Sequence, residues 1–296
     1  MSALLYKIAA AVKALRVYQW TKNLLVFAAL IFAQELTHPY MVVVSLFAFA
    51  AFCMAASATY LLNDIIDVEK DRAHPKKRTR PIASGELSLP VAWVLLLVLF
   101  GGAIGVAATI GPAFLATVVL YVVLTVSYSL VLKNLIIIDV MAVSLGFVLR
   151  AMAGAIALDV TFSNWLVVCT LFLALFLSLS KRRNELTLLD EEARNHRGVL
   201  FHYSVHYLDQ LILIMAGGAL ITYTIYTCSP DVVEKIGSDK LYMTIPFVVY
   251  GLFRYLFLVH QRTGGGDPSR TLLQDWPLGL NVLLWAAACG AIIYLL

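Results

Sequence analysis

The sequence predicts an all-α membrane protein, a nine-transmembrane-helix bundle with its N-terminus in the cytoplasm. Three observations carry this: an apolar composition, nine separated apolar runs, and basic residues gathered at alternate ends of those runs. Of the 296 residues, 61% are hydrophobic and 14% are charged, and the mean hydropathy is +0.86. A soluble domain is about half apolar and about a quarter charged. A bilayer is the solvent that suits this chain. Helices of roughly 20 apolar residues can cross it. Open sheet edges find no hydrogen-bond partners there.

In chain order, residues 1–20 are interrupted by Lys7, Lys13 and Arg16, so they read as an interfacial amphipathic helix and not as a cleavable signal. The apolar runs follow. The first is Leu24–Phe32 with its flanks and is short. Met41–Leu62, Val91–Ile110, Ala113–Leu132 and Ile136–Leu158 come next. Trp165–Ser180, Leu211–Cys228, Met243–Val259 and Pro277–Leu296 complete the set. Residues 63–90 and 180–209 are polar and read as cytoplasmic loops of one domain spanning 1–296. With the N-terminus inside, every Lys and Arg except Lys235, Lys240 and Arg150 falls on the cytoplasmic side.

That bias accounts for most of the net charge of +4, so no nucleic-acid partner is implied. Cys53, Cys169, Cys228 and Cys289 lie in or beside apolar runs without metal-ligand spacing, and read as packing residues. No internal repeat is visible, which disfavours a transporter built from inverted halves. Gly101, Gly102 and Gly105, and Gly217 with Gly218, offer close helix contacts. They leave the choice between monomer and homo-oligomer open.

The chemistry concentrates at the end of the second run. Asp64, Asp67 and Asp71 are spaced i, i+3, i+7, beside Asn63, which predicts three carboxylates on one helical face. Such a cluster wants a hard cation, and Mg²⁺ binds through a few carboxylates plus substrate phosphates. A solvated helix end offset by Lys70 and Arg72 is the plainer alternative. Lys76, Lys77, Arg78 and Arg80 follow at once, between Pro75 and Pro81. They suit phosphate oxygens, although topology and lipid headgroups also call for basic residues there.

Further polar residues mark other helix ends: Lys22, Tyr128, Lys133, Lys181, Arg182 and Glu185. Asp139 and Arg150 lie within the fifth run, about three turns apart. They share a substrate face, or each pairs with a neighbouring helix. His202 and His206 lack the carboxylate of a zinc motif, and Thr263–Pro268 reads as a flexible connection.

The Asn63–Asp71 pattern, N-D-x-x-D-x-x-x-D at the end of a second span, resembles the first aspartate-rich motif of the UbiA superfamily of intramembrane transferases. Within it, the resemblance is closest to the branch that transfers phosphoribosyl groups to polyprenyl phosphates. Three segments carry that: Arg16–Asn23, His74–Gly85 and Lys181–Leu186. Aromatic prenyltransferases of the superfamily carry a second aspartate-rich motif after the sixth span. Here that place holds Lys-Arg-Arg-Asn-Glu.

The resemblance implies Mg²⁺ on Asp64, Asp67 and Asp71, holding the diphosphate of phosphoribosyl diphosphate with help from Asn63 and basic residues. A polyprenyl phosphate in a bacterial-type inner or plasma membrane is the implied acceptor. Lys133, Arg150, Lys181 or Arg182 would anchor the remaining phosphates, without individual assignment. A prenyl transfer to an aromatic ring and a non-catalytic transporter remain the alternative functions.

Overall fold

The computed structural model describes residues 3–75, 77–161, 163–188, 202–261 and 268–295, and all regular structure among them is helical. The α-helices are α1 (Ala3–Leu15), α2 (Ala28–Phe32), α3 (Pro39–Ile66), α4 (Val68–Ala73), α5 (Leu89–Ile110), α6 (Pro112–Leu130) and α7 (Ile138–Leu158). They continue with α8 (Asn164–Leu188), α9 (Val205–Cys228), α10 (Pro230–Ile236), α11 (Ile245–Gln261), α12 (Pro268–Gln274) and α13 (Trp276–Leu295). Among the described residues, eight helices are long and apolar enough to cross a membrane.

Proline stands in the first turn of α3, α5, α6 and α10. Its missing N–H costs nothing there and its fixed φ suits a helix start. Gly111, at φ +152°, alone links α5 to α6. Ser204 caps α9 by accepting the Tyr207 N–H at 3.1 Å.

The first apolar run departs from expectation. Val17–Phe27 is a 3₁₀ helix, followed by the five residues of α2. A 3₁₀ helix rises about 2.0 Å per residue and an α-helix about 1.5 Å. The 16 residues of Val17–Phe32 therefore extend roughly 30 Å, about the hydrocarbon thickness. This stretch lies against α7. Gly154 makes room for it, because a Cβ there would overlap the Val26 carbonyl. Arg150 ties the same pair: its Nε donates to Asn23 Oδ1 at 2.7 Å.

Small residues let the helices approach. α3 turns Ala48, Ala51, Phe52, Ala55 and Ala56 into a core shared with Ala103 and Ala107 of α5, Phe114 and Tyr121 of α6, and Ala153 of α7. A second core joins Phe176 and Leu179 of α8, Leu208 and Ile212 of α9, and Tyr255 and Leu258 of α11. Gly102 sits under the Met54 sulfur and Gly218 under the Phe172 ring, so these two glycines serve packing within the chain.

The predicted polar loops are shorter than their sequence limits. α3 runs through Asn63 and Asp64 to Ile66, α5 starts at Leu89, and α8 continues to Leu188. The rest of the second loop up to residue 201, Lys76, and residues 263–267 lie outside the described residues. The N-terminal helix stops at Leu15, where Arg16 adopts a left-handed conformation at φ 53° and ψ 48°. Lys13 then reaches the α4–α5 connection, donating to the Thr79 carbonyl at 3.2 Å and pairing with Glu86 at 3.6 Å.

Candidate active site

The three aspartates do not share one helical face. α3 ends at Ile66, and Asp67 is the junction, at φ −92° and ψ 10°, from which α4 starts. Asn63 is half-buried in the last turn of α3, and its carbonyl accepts the Asp67 N–H at 3.0 Å. The break turns Asp67 away and leaves Asp64 and Asp71 facing each other. Both are almost fully buried, at 3% and 2% exposure. One nitrogen bridges them: Arg80 Nη1 lies 3.0 Å from Asp64 Oδ1 and 2.6 Å from Asp71 Oδ2. Asp64 also accepts Arg16 Nη2 at 2.5 Å, and Lys77 Nζ stands 3.9 Å from Asp71 Oδ1. Asp67 faces Lys133 Nζ at 3.6 Å and Lys70 Nζ at 3.8 Å.

Three carboxylates thus stand among five cationic side chains. The surplus is positive, as a polyanionic ligand requires. Among the described residues, no three His, Cys, Asp or Glu side chains form a ready metal cage. Asp64 and Asp71 nevertheless direct oxygens at one cationic atom. Two hard oxygens on one point suit Mg²⁺, which takes its other ligands from water and substrate phosphate.

Arg16 is the residue that sequence reasoning missed in this patch. Its guanidinium lies over the Tyr60 ring at 4.9 Å while it bonds Asp64. Its left-handed backbone makes that approach, and nothing in the local sequence demands such a turn from an arginine.

A second polar patch forms where α6, α7, α8 and the start of α9 meet. Arg182 lies 2.8 Å from Asp139 Oδ2 and donates to Glu185 Oε2 at 2.6 Å, with Tyr128 as a further hydrogen-bond partner. The contact with Asp139 is one of charge, off the hydrogen-bond axis. It leaves Asp139 Oδ2 and Arg182 Nε buried without a hydrogen bond among the described residues. Tyr203 donates to Asp139 Oδ1 at 2.9 Å. Burial first, and then its hydrogen bond to Asp139, push the Tyr203 hydroxyl up to about 12. It stays a proton donor at neutral pH.

Asp139 and Arg150 each pair with neighbouring helices and not with one another. All three Arg150 guanidinium nitrogens donate inside the bundle, to Asn23 Oδ1, the Gly146 carbonyl and the Tyr121 hydroxyl. These bonds use three of its five N–H donors. Arg183 binds Asp209 and the Val259 carbonyl. Lys22 is half-buried beside Asn23, while Arg78 and Lys181 are exposed. Lys133 links the two patches, since it touches Asp67 and lies six residues before Asp139.

Residues 23–276 match the UbiA prenyltransferase family. The chain is 33% identical to decaprenyl-phosphate phosphoribosyltransferase of Mycolicibacterium smegmatis, over 96% of its own length and 92% of that protein's. It is 34% identical to the protein of the same name from Mycobacterium tuberculosis, over 96% and 94%. The backbone matches that of a UbiA homolog from Archaeoglobus fulgidus bound to GPP and Mg²⁺, with a TM-score of 0.73 and 19% identity over 96% of this chain and 99% of that one. The chain is therefore an integral membrane transferase, and it belongs to the UbiA prenyltransferase family.

Proposed function

We propose that this enzyme transfers the 5-phosphoribosyl group of phosphoribosyl diphosphate to a polyprenyl phosphate and releases diphosphate. The observation that carries the reading is that no second aspartate-rich motif stands at the end of α8. Lys181, Arg182 and Arg183 stand where a prenyl diphosphate donor would call for a second acidic motif. The names of the full-length relatives support the same reaction.

In this reading Asp64 and Asp71, with Asp67 alongside, would hold Mg²⁺, which when bound would offset the charge of the leaving diphosphate. Arg16, Lys77 and Arg80 surround the same point, Lys133 stands beside Asp67, and they hold diphosphate oxygens by charge-assisted hydrogen bonds. Arg78 extends the basic surface along which the donor enters. The C1–O bond to diphosphate breaks, and its electron pair leaves with the diphosphate. An oxygen of the lipid phosphate forms the new bond to C1. That oxygen is already anionic at neutral pH, so no general base is needed. Arg182, with its spare buried Nε, holds a second phosphate, and Lys181 supports it from the surface. Tyr128 and Glu185 fix the Arg182 guanidinium.

The topology proposed with this function has nine crossings. The 3₁₀ stretch and α2 supply the first, and the polar end faces the cytoplasm, where the donor is dissolved. Donor binding tests the assignment. With Mg²⁺ present, phosphoribosyl diphosphate should raise the unfolding temperature of the purified protein and a prenyl diphosphate should not. The reverse order overturns the proposal in favour of a prenyl donor.

A further inference from the structure

Between the two patches runs a single turn, residues 131–139. Lys133 at one end reaches Asp67 at 3.6 Å, and Asp139 at the other holds Arg182. Near its middle, Ile137 has φ 69° and ψ −43°. A β-branched residue at positive φ is a true outlier, kept only where its surroundings over-determine it.

Here the Ile138 N–H closes a tight turn on the Ile136 carbonyl at 2.8 Å, the Asp139 N–H bonds the Leu135 carbonyl at 3.0 Å, and one side-chain hydroxyl adds to them. The Ile137 N–H donates to the Tyr203 oxygen at 2.6 Å, and that hydroxyl donates onward to Asp139 Oδ1 at 2.9 Å. Tyr203 is buried, at 5% exposure, and its ring stacks on Tyr207 at 6.4 Å. Asp139 is fully buried. The tyrosine enters from beyond the loop that follows α8, so it joins two segments that sequence does not connect.

We infer that Tyr203 is a positioning residue. It locks the 131–139 turn so that Lys133 faces the acidic patch while Asp139 aims Arg182 in the second. The inference rests on the proposed division of substrate phosphates between the two patches. The hydroxyl is the working part. Without it the Ile137 N–H loses its side-chain acceptor, the buried Asp139 loses a donor, and the positive φ is held by backbone bonds alone. The distance between the two phosphate-binding groups then becomes variable. Substrates spanning both patches lose their reactive alignment more than their affinity.

The test uses full-length Tyr203→Phe, which keeps the ring and its stacking. Amide exchange across residues 131–139 should accelerate by about tenfold or more. The unfolding temperature should change little. The kcat should fall between tenfold and about a hundredfold, with a smaller change in KM. Lys133→Ala should cost less in the Tyr203→Phe background than alone, because the lysine is already misplaced. Unchanged exchange overturns the clamp. Faster exchange with wild-type kcat overturns the positioning role. A wild-type protein that transfers no phosphoribosyl group sinks the donor assignment instead, and it shows this before any variant is made.

Discussion

At the scale of residues, the site is a balance of buried charge. Asp64 and Asp71 are withdrawn from water and share one arginine nitrogen. Removing one partner of a buried ion pair is costly because the other charge stays behind. Arg80→Gln should lower stability by about 2–3 kcal/mol, less than for a fully buried pair because the Arg80 side chain is 26% exposed. Denaturant titration in detergent measures this. Mg²⁺ together with phosphoribosyl diphosphate should narrow the deficit. Asp64→Asn and Asp71→Asn should each cut turnover by about a hundredfold or more while the protein still inserts. Full activity in both would remove the metal assignment.

The aspartates and Arg80 were legible because motif spacing and local charge lie within a few turns. Arg16 and Tyr203 were not. Their roles depend on a left-handed turn and on a partner 64 positions away. Arg150 was half legible. A charge within a span implies partners, but only the fold shows that Asn23 and Tyr121 are among them.

At the scale of elements, the apolar runs located the long helices well, since burial in lipid depends on composition. Periodicity failed at two junctions. The break at Asp67 divides a predicted continuous face, because the chain turns there to let Arg80 return over Asp64. The first run is wound as a 3₁₀ helix against α7, which tertiary contact and not local propensity decides. Gly154 is the position that permits it. Gly154→Ala should cost about 1–3 kcal/mol by overpacking and should perturb the Val17–Phe27 stretch. Gly101→Ala, where added carbon meets open space, should cost nothing. Thermal unfolding of the two variants compares them. Equal behaviour would mean that the α7 contact is looser than the structure has it.

At the scale of the molecule, one end of the bundle carries both polar patches, and the opposite end is nearly free of basic residues. Cys228, at the far end of α9, is exposed, while Cys53, Cys169 and Cys289 are buried. The proposed nine crossings and interior N-terminus predict that an impermeant thiol reagent labels Cys228 only from outside the cell. Labelling from the cytoplasmic face would invert the topology.

The most direct measurement for the whole account follows the group that moves. Purified protein is incubated with Mg²⁺, phosphoribosyl diphosphate labelled in the ribose, and a polyprenyl phosphate. Label in the lipid extract is then counted with and without chelator. The account predicts labelled lipid that depends on Mg²⁺ and on the lipid phosphate. A folded preparation that leaves all label in the aqueous phase, yet transfers a prenyl chain from a prenyl diphosphate, would contradict it.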